Sequence, residues 1–197
     1  MIKLGINIIT YNGASAFIEK TIESVLPYAD EVLVFDTGST DDTVEILKKY
    51  PIYVATRNIQ SLGRVWSNSP IDVALTNVLN EMKNQTKSEW ILKVDDDEIF
   101  PQEVMEEMKN LTPEFPIYSI PFLHIGKDTK LRLIKRLFQN IPEVSWVGRY
   151  GNETLAYNNH KYNSTKCPAL KNFFIHLGGL RKDDEHRKHD YKYSGSK

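Results

Sequence analysis

Short apolar runs alternate with stretches of helical periodicity from the start of the chain to about Leu111, and that alternation narrows the available folds more than any other feature. Leu4–Ile9, Glu31–Phe35, Ile52–Thr56 and Trp90–Val94 have the length and apolar content of strands. Between the first two, Ile18, Ile22, Val25 and Leu26 share one helical face, and Pro27 closes that helix. Between the next two, Val44 and Leu47 serve a helix whose start is marked by Ser39, Thr40, Asp41 and Asp42. The third connection is longer. Ser69 reads as N-cap, Pro70 as the first helical residue and Asp72 as the acid of a capping box, followed by a core stripe of Ile71, Ala74, Leu75, Val78, Leu79 and Met82. A further helix starts at Pro101 and carries Val104, Met105, Met108 and Leu111. Strands alternating with helices in this way predict an α/β fold with a mostly parallel sheet.

After Thr112-Pro113 the pattern changes to strand-like pieces, Ile117–Ile125 and Lys130–Phe138, then Trp146 and an irregular stretch rich in Asn and Tyr to about Lys166. With 197 residues the chain predicts one domain over 1–180, followed by a polar tail over 181–197 that reads as a fraying surface helix. The formal net charge is -1 and no long block of one sign occurs, so global charge names no partner. Cys167 is the only cysteine, which excludes an internal disulfide and a thiolate zinc cluster. A reducing compartment is the expectation, hence the cytoplasm or its side of the inner membrane. The opening Met1–Ile9 is too short and too polar at Asn7 for a signal sequence, and no stretch approaches a membrane span.

Three polar motifs stand at the ends of predicted strands. Asp95-Asp96-Asp97-Glu98 follows directly on Trp90–Val94. Adjacent carboxylates repel unless something positive sits among them, and Mg²⁺ or Mn²⁺, which prefer hard oxygen ligands and substrate phosphates, answer that need. Asp36-Thr37-Gly38-Ser39-Thr40-Asp41-Asp42-Thr43 is the second motif, an acid and a Gly/Ser turn after an apolar strand. Thr10-Tyr11-Asn12-Gly13 is the third. Open α/β sheets bind ligands outside the carboxyl ends of their strands, so all three are expected to converge on one crevice.

In order and spacing these motifs resemble glycosyltransferase family 2. The resemblance implies a GT-A, Rossmann-like fold and transfer from a nucleotide sugar, usually a UDP-sugar, with inversion at the anomeric carbon. It makes 1–111 the donor half and 112–180 the acceptor half. Carried onto this chain, it implies that Asp36 hydrogen-bonds the nucleobase, that Thr10 lines the same pocket beside Tyr11 and Asn12, and that Asp95 approaches the ribose. Asp97, with Asp95 nearby, is implied as ligand of a Mn²⁺ or Mg²⁺ ion bridging the diphosphate. Asp96 stands where the family usually has a small residue and is expected to point away, and Glu98 is left for a supporting or acceptor-side role.

The resemblance has gaps. The Arg-Asn pair that relatives often carry before the third helix is missing from 58–69, which leaves Arg57 and Arg64 as candidate phosphate ligands. Lys135-Arg136-Leu137-Phe138 followed by Trp146-Val147-Gly148 and Asn152-Glu153 resembles a stretch of some relatives in which His replaces Asn152. Inversion in one displacement needs a general base, for which Glu153 is the first candidate and Asp128 the second. His176, before two glycines, resembles a late His-x-Gly that can reach metal or diphosphate, although a buried histidine satisfied by the backbone is the slightly favoured reading. Lys127, Lys130, Arg132, Lys135 and Arg136 form a basic cluster, read as an ordinary half-exposed strand in preference to a surface that steers an anionic acceptor such as lipopolysaccharide or nucleic acid. His186 and His189 read as solvent-facing.

Two rival readings stand beside a transferase. A magnesium phosphohydrolase would use Asp36 as nucleophile, but it needs an acid two residues later, where Gly38 stands. A nucleotide-sugar-binding module without catalysis is the other. For a transferase the expected acceptor is a polysaccharide or lipooligosaccharide, with a protein or a modified nucleic-acid base less favoured.

Overall fold

The computed structural model describes residues 1–14, 17–59, 70–126, 130–148, 153–162 and 167–180, with backbone alone for 70–74. In chain order the strands and helices are β1 (Leu4–Thr10), α1 (Ile18–Val25), β2 (Glu31–Asp36), α2 (Thr43–Leu47), β3 (Tyr53–Thr56), α3 (Pro70–Gln85), β4 (Trp90–Asp95) and β5 (Glu98–Ile99). They continue with α4 (Gln102–Lys109), β6 (Ile117–His124), β7 (Leu131–Gln139), β8 (Val144–Val147), β9 (Thr154–Tyr157), β10 (His160–Lys161) and β11 (Phe174–His176). The main sheet has the order β3-β2-β1-β4-β7-β6-β11-β5, and a small sheet has the order β10-β9-β8.

The first four strands of the main sheet, β3, β2, β1 and β4, run parallel, as the alternation with helices requires. At β4 the direction changes, because β7 joins it antiparallel and pairs with β6 as a long hairpin. Both faces of the sheet are covered, so the strands are apolar on successive residues. Ile6, Ile8, Val34, Leu92 and Val94 face α1 and α4, meeting Ile18, Ile22, Val104, Met105 and Met108. Phe35, Ile91 and Phe138 face the opposite way, onto Val78, Leu79 and Met82 of α3 and onto Trp146 and Leu155 of the small sheet.

Three of the parallel strands, β1, β2 and β4, run one residue further than their apolar runs. β1 ends on Thr10, β2 on Asp36 and β4 on Asp95, so each motif begins inside the ladder that fixes it. Pro101 is the N-cap of α4 rather than its first residue. Part of the stretch read as irregular is ordered: Trp146 meets Phe138 edge-on at 5.7 Å, and Asn158 and Asn159 turn β9 into β10 with φ of 51° and 62°. Positive φ at both central residues is what a two-residue hairpin with native twist demands, and Asn tolerates it. Ser69 and the tail over 181–197 lie outside the described residues. Among the described residues no helix is long and apolar enough to cross a membrane.

Candidate active site

Sheet register brings the three motifs together. Thr10 stands opposite Asp36, Asp36 opposite Thr56, and Ile9 opposite Asp95, all at the carboxyl ends of neighbouring parallel strands. The loops above them are sewn to one another. Thr37 donates both its N–H and its hydroxyl to the Thr10 carbonyl, each at 2.9 Å. Asn12 accepts from the Thr40 N–H at 2.9 Å and donates its own N–H to the Ser39 hydroxyl at 2.8 Å. Asp36 is buried and accepts from the N–H groups of Gly38 and Ser39 at 3.2 Å, a local turn that φ of +111° at Gly38 makes possible.

Each acid of the run has a different environment. Asp95 takes Lys93 on Oδ1 and Arg136 on Oδ2. Burial alone would raise its pKa, but the Arg136 and Lys93 charges outweigh that and hold the carboxyl far below its ordinary value. Asp96 turns toward β1, where it accepts from the Thr10 hydroxyl at 2.7 Å and from the Tyr11 N–H at 3.2 Å. It therefore braces the first motif and is not the bystander expected. Asp97 is buried, with Oδ1 3.3 Å from His176 Nε2, and its carbonyl accepts from the Leu177 N–H at 2.8 Å. Glu98 accepts from the Asp95 N–H at 2.9 Å and meets Arg136 Nη2 at 3.0 Å. Burial pushes Glu98 up to about 7 against the pull of Arg136.

Arg136 is the residue the sequence reading misplaced. Its expected place was a half-exposed basic strand, yet it is 7% exposed and forms the common partner of Asp95 and Glu98. Burial opposes its charge, but the two carboxylates raise its pKa overall. Lys135, beside it in sequence, points to the small-sheet side and donates to the Tyr162 carbonyl at 2.7 Å. His124 is a second residue no motif marked. It ends β6 opposite His176 of β11, and the two rings meet at 4.4 Å.

The remaining candidates are dispersed. Arg57 places its guanidinium on Glu81 of α3 and over the Phe35 ring at 5.2 Å, while its N–H donates to the Asp36 carbonyl at 2.7 Å. A role toward phosphate would require that ion pair to open. Glu153 is half-buried and immediately precedes β9 of the small sheet. Arg64, Asp128 and Asn152 lie outside the described residues.

For a divalent cation the donor set at Asp97 and His176 is suitable, one hard carboxylate oxygen and one imidazole nitrogen. Burial works against the His176 imidazolium, whereas the hydrogen bond and charge of Asp97 favour it, with the net effect upward. Among the described residues no group of three or more His, Cys, Asp or Glu is arranged to hold a metal. A cation here would complete its shell from diphosphate and water, the usual habit of Mg²⁺. Asp95 already has both oxygens on protein cations, which leaves Asp97 the better ligand of the two.

A parallel sheet extended by an antiparallel hairpin, with acids at the end of its central strand, is a GT-A architecture. The profile of Glycosyl transferase family 2 matches residues 6–175, and the chain belongs to that family. It is 27% identical over 162 residues to the SPbeta prophage-derived glycosyltransferase SunS of Bacillus subtilis, which covers 77% of this chain and 34% of SunS. It is 33% identical over 110 residues to an uncharacterized glycosyltransferase of Mycoplasma genitalium, covering 52% of this chain and 35% of that protein. The matches thus span about a third of these relatives' own length. Among solved structures, a fragment of S. aureus TarS in complex with UDP superposes with a TM-score of 0.50 at 22% identity, over 66% of this chain and 38% of that one.

Proposed function

We propose that this chain transfers a sugar from a nucleoside-diphosphate sugar, a UDP-sugar in the first instance, to a hydroxyl of a glycan or lipooligosaccharide acceptor, with inversion and with help from Mn²⁺ or Mg²⁺. The observation that carries this reading is the convergence of Thr10, Asp36 and the acid run on the carboxyl ends of adjacent parallel strands. That is where an α/β sheet takes a ligand, and the residue types match the motifs of the family. The choice of uridine rests on the motif resemblance and on a fold shared with a protein solved with UDP.

In this reading the loops after β1 and β2 hold the base, and Asp95, kept anionic by Arg136 and Lys93, accepts from a ribose hydroxyl. A bound cation would neutralise charge developing on the leaving diphosphate. The acceptor oxygen attacks the anomeric carbon as the bond to the diphosphate oxygen breaks, and Glu153 takes the acceptor proton. Residues 1–111 then serve the donor and 112–180 the acceptor.

A thermal-shift series of nucleotides and nucleotide sugars with and without Mn²⁺ tests the donor assignment, because a ligand selective for the folded state must stabilise it. UDP is expected to raise Tm in a metal-dependent manner, and Asp97→Asn is expected to lose the metal-dependent part. Absence of a response to every nucleotide would sink the donor assignment. Glu153→Gln is expected to bind donor normally and to lose transfer about a hundredfold. Undiminished transfer would give the base to another residue, and the lack of transfer by wild-type protein that binds UDP would favour a binding module.

A further inference from the structure

The pair Gly178-Gly179 follows His176 in a single 3-10 turn, and the two glycines answer different needs. A Cβ on Gly179 would fall 2.2 Å from the carbonyl oxygen of Ile125 and 3.2 Å from Cα of Gly126. Both neighbours are backbone and cannot move aside, so this glycine is demanded by packing against the end of β6. A Cβ on Gly178 meets no backbone among its nearest neighbours. They are His176 Nε2 at 2.9 Å, Asp97 Oδ2 at 3.2 Å and His176 Cε1 at 3.2 Å, all of them the Asp97–His176 pair. The φ of Gly178 lies outside the left-handed region, since Gly38, Gly126 and Gly148 are the positive-φ glycines among the described residues. The backbone at 178 therefore admits alanine, and what a side chain there would displace is the His176 ring and the Asp97 carboxylate.

We infer that Gly178 is a positioning residue that keeps the space in front of Asp97 Oδ2 and His176 Nε2 clear for a divalent cation and the diphosphate oxygens on it. The inference rests on the donor reading above and adds a residue to it. A cation held by the Asp97 carboxylate and the His176 imidazole would need open volume beside both donor atoms for itself and its remaining ligands. A methyl group already within 3.2 Å of both atoms fills the volume that such an ion and its remaining ligands require. Two elements bring this about. β11 delivers His176 beside β5, pairing it with Glu98, and the Leu177 N–H on the Asp97 carbonyl fixes the turn that carries Gly178 over the pair.

The test compares wild type, Gly178→Ala and Asp97→Asn by thermal shift and by calorimetric titration with UDP, each in Mn²⁺ and in EDTA. Gly178→Ala is expected to fold with the His176 ring displaced, to bind UDP in EDTA like wild type, and to lose at least tenfold of the Mn²⁺-dependent gain in UDP affinity. A variant that keeps the Mn²⁺-dependent gain within twofold, while Asp97→Asn loses it, overturns the role of Gly178 and leaves the donor reading standing. If Gly178→Ala does not fold, the glycine belongs to packing and the inference is likewise overturned. No Mn²⁺-dependent gain in wild type would remove the metal from the donor reading and this inference with it, whereas no UDP binding at all would remove the donor reading.

Discussion

At the scale of single residues, neighbours in sequence have been given opposite electrostatic tasks. Asp95 is held ionised by Arg136 and Lys93, while Glu98, three residues on and touching the same guanidinium, is pushed up to about 7 by burial. A carboxyl whose folded pKa is raised binds its proton more tightly in the native state. Its contribution to stability is full below its ordinary value of 4.5 and is lost as pH rises through about 7. Asp95 works in the other direction, stabilising above its ordinary range and losing that contribution only in strong acid. Urea unfolding of Glu98→Gln between pH 4.5 and 7 is expected to show a flatter pH dependence than wild type. An identical slope in the two proteins would show that Glu98 does not titrate in this window. None of this was legible in the sequence. The acids were visible as a cluster, but Arg136 lies 41 residues from Asp95, and Thr10 lies 86 from Asp96. Local pattern carries no information about which cation a strand pairing will deliver.

At the scale of elements, the apolar runs and their spacing located β1, β2, β3, β4, β6 and β7 within a residue or two, because buried strands must be apolar whatever their partners. The small sheet was not read, since its strands are short and owe their order to what they pack on. Asn80 of α3 shows how it is attached. Its amide donates to the Trp146 carbonyl at 3.0 Å and accepts from the Trp146 N–H at 2.9 Å, so one side chain satisfies both backbone groups of a β8 residue. Asn80→Ala leaves that donor and acceptor without their partner, an expected loss of about 1–3 kcal/mol. Denaturant titration measures it. A loss below about 0.5 kcal/mol would mean that water replaces the amide at no cost. Sequence periodicity gave Asn80 no distinction, because it falls outside the apolar stripe of its helix.

At the scale of the whole molecule, one sheet separates two cores and belongs to both. Ile91 and Leu92 are consecutive residues of β4, yet one faces α3 and the other faces α4. Loss of packing on either face therefore loosens the same ladder, and the domain is expected to unfold in one transition. Met82→Ala on one face and Met105→Ala on the other should each cost about 2–5 kcal/mol and shift the same midpoint with little change in slope. Tryptophan fluorescence and circular dichroism that separate in either variant would show two units. The alternation of strands and helices foretold this layered arrangement, whereas the reversal of direction at β4 was beyond it, since nothing in a strand's composition records whether its neighbour runs with it or against it.

Only Asp96 and Asp97 lie between β4 and β5, and each of those strands is locked into the same sheet by a different neighbour. The acid run is thus a fixed-length bridge rather than a loop. A residue added or removed there would swing every carboxylate to the wrong face or draw β5 off β11, whatever residue it was. Over evolutionary time, side chains on this bridge can be exchanged more readily than its length. Among descendants of this chain, insertions and deletions are expected to accumulate in the connections between halves and to spare these two positions.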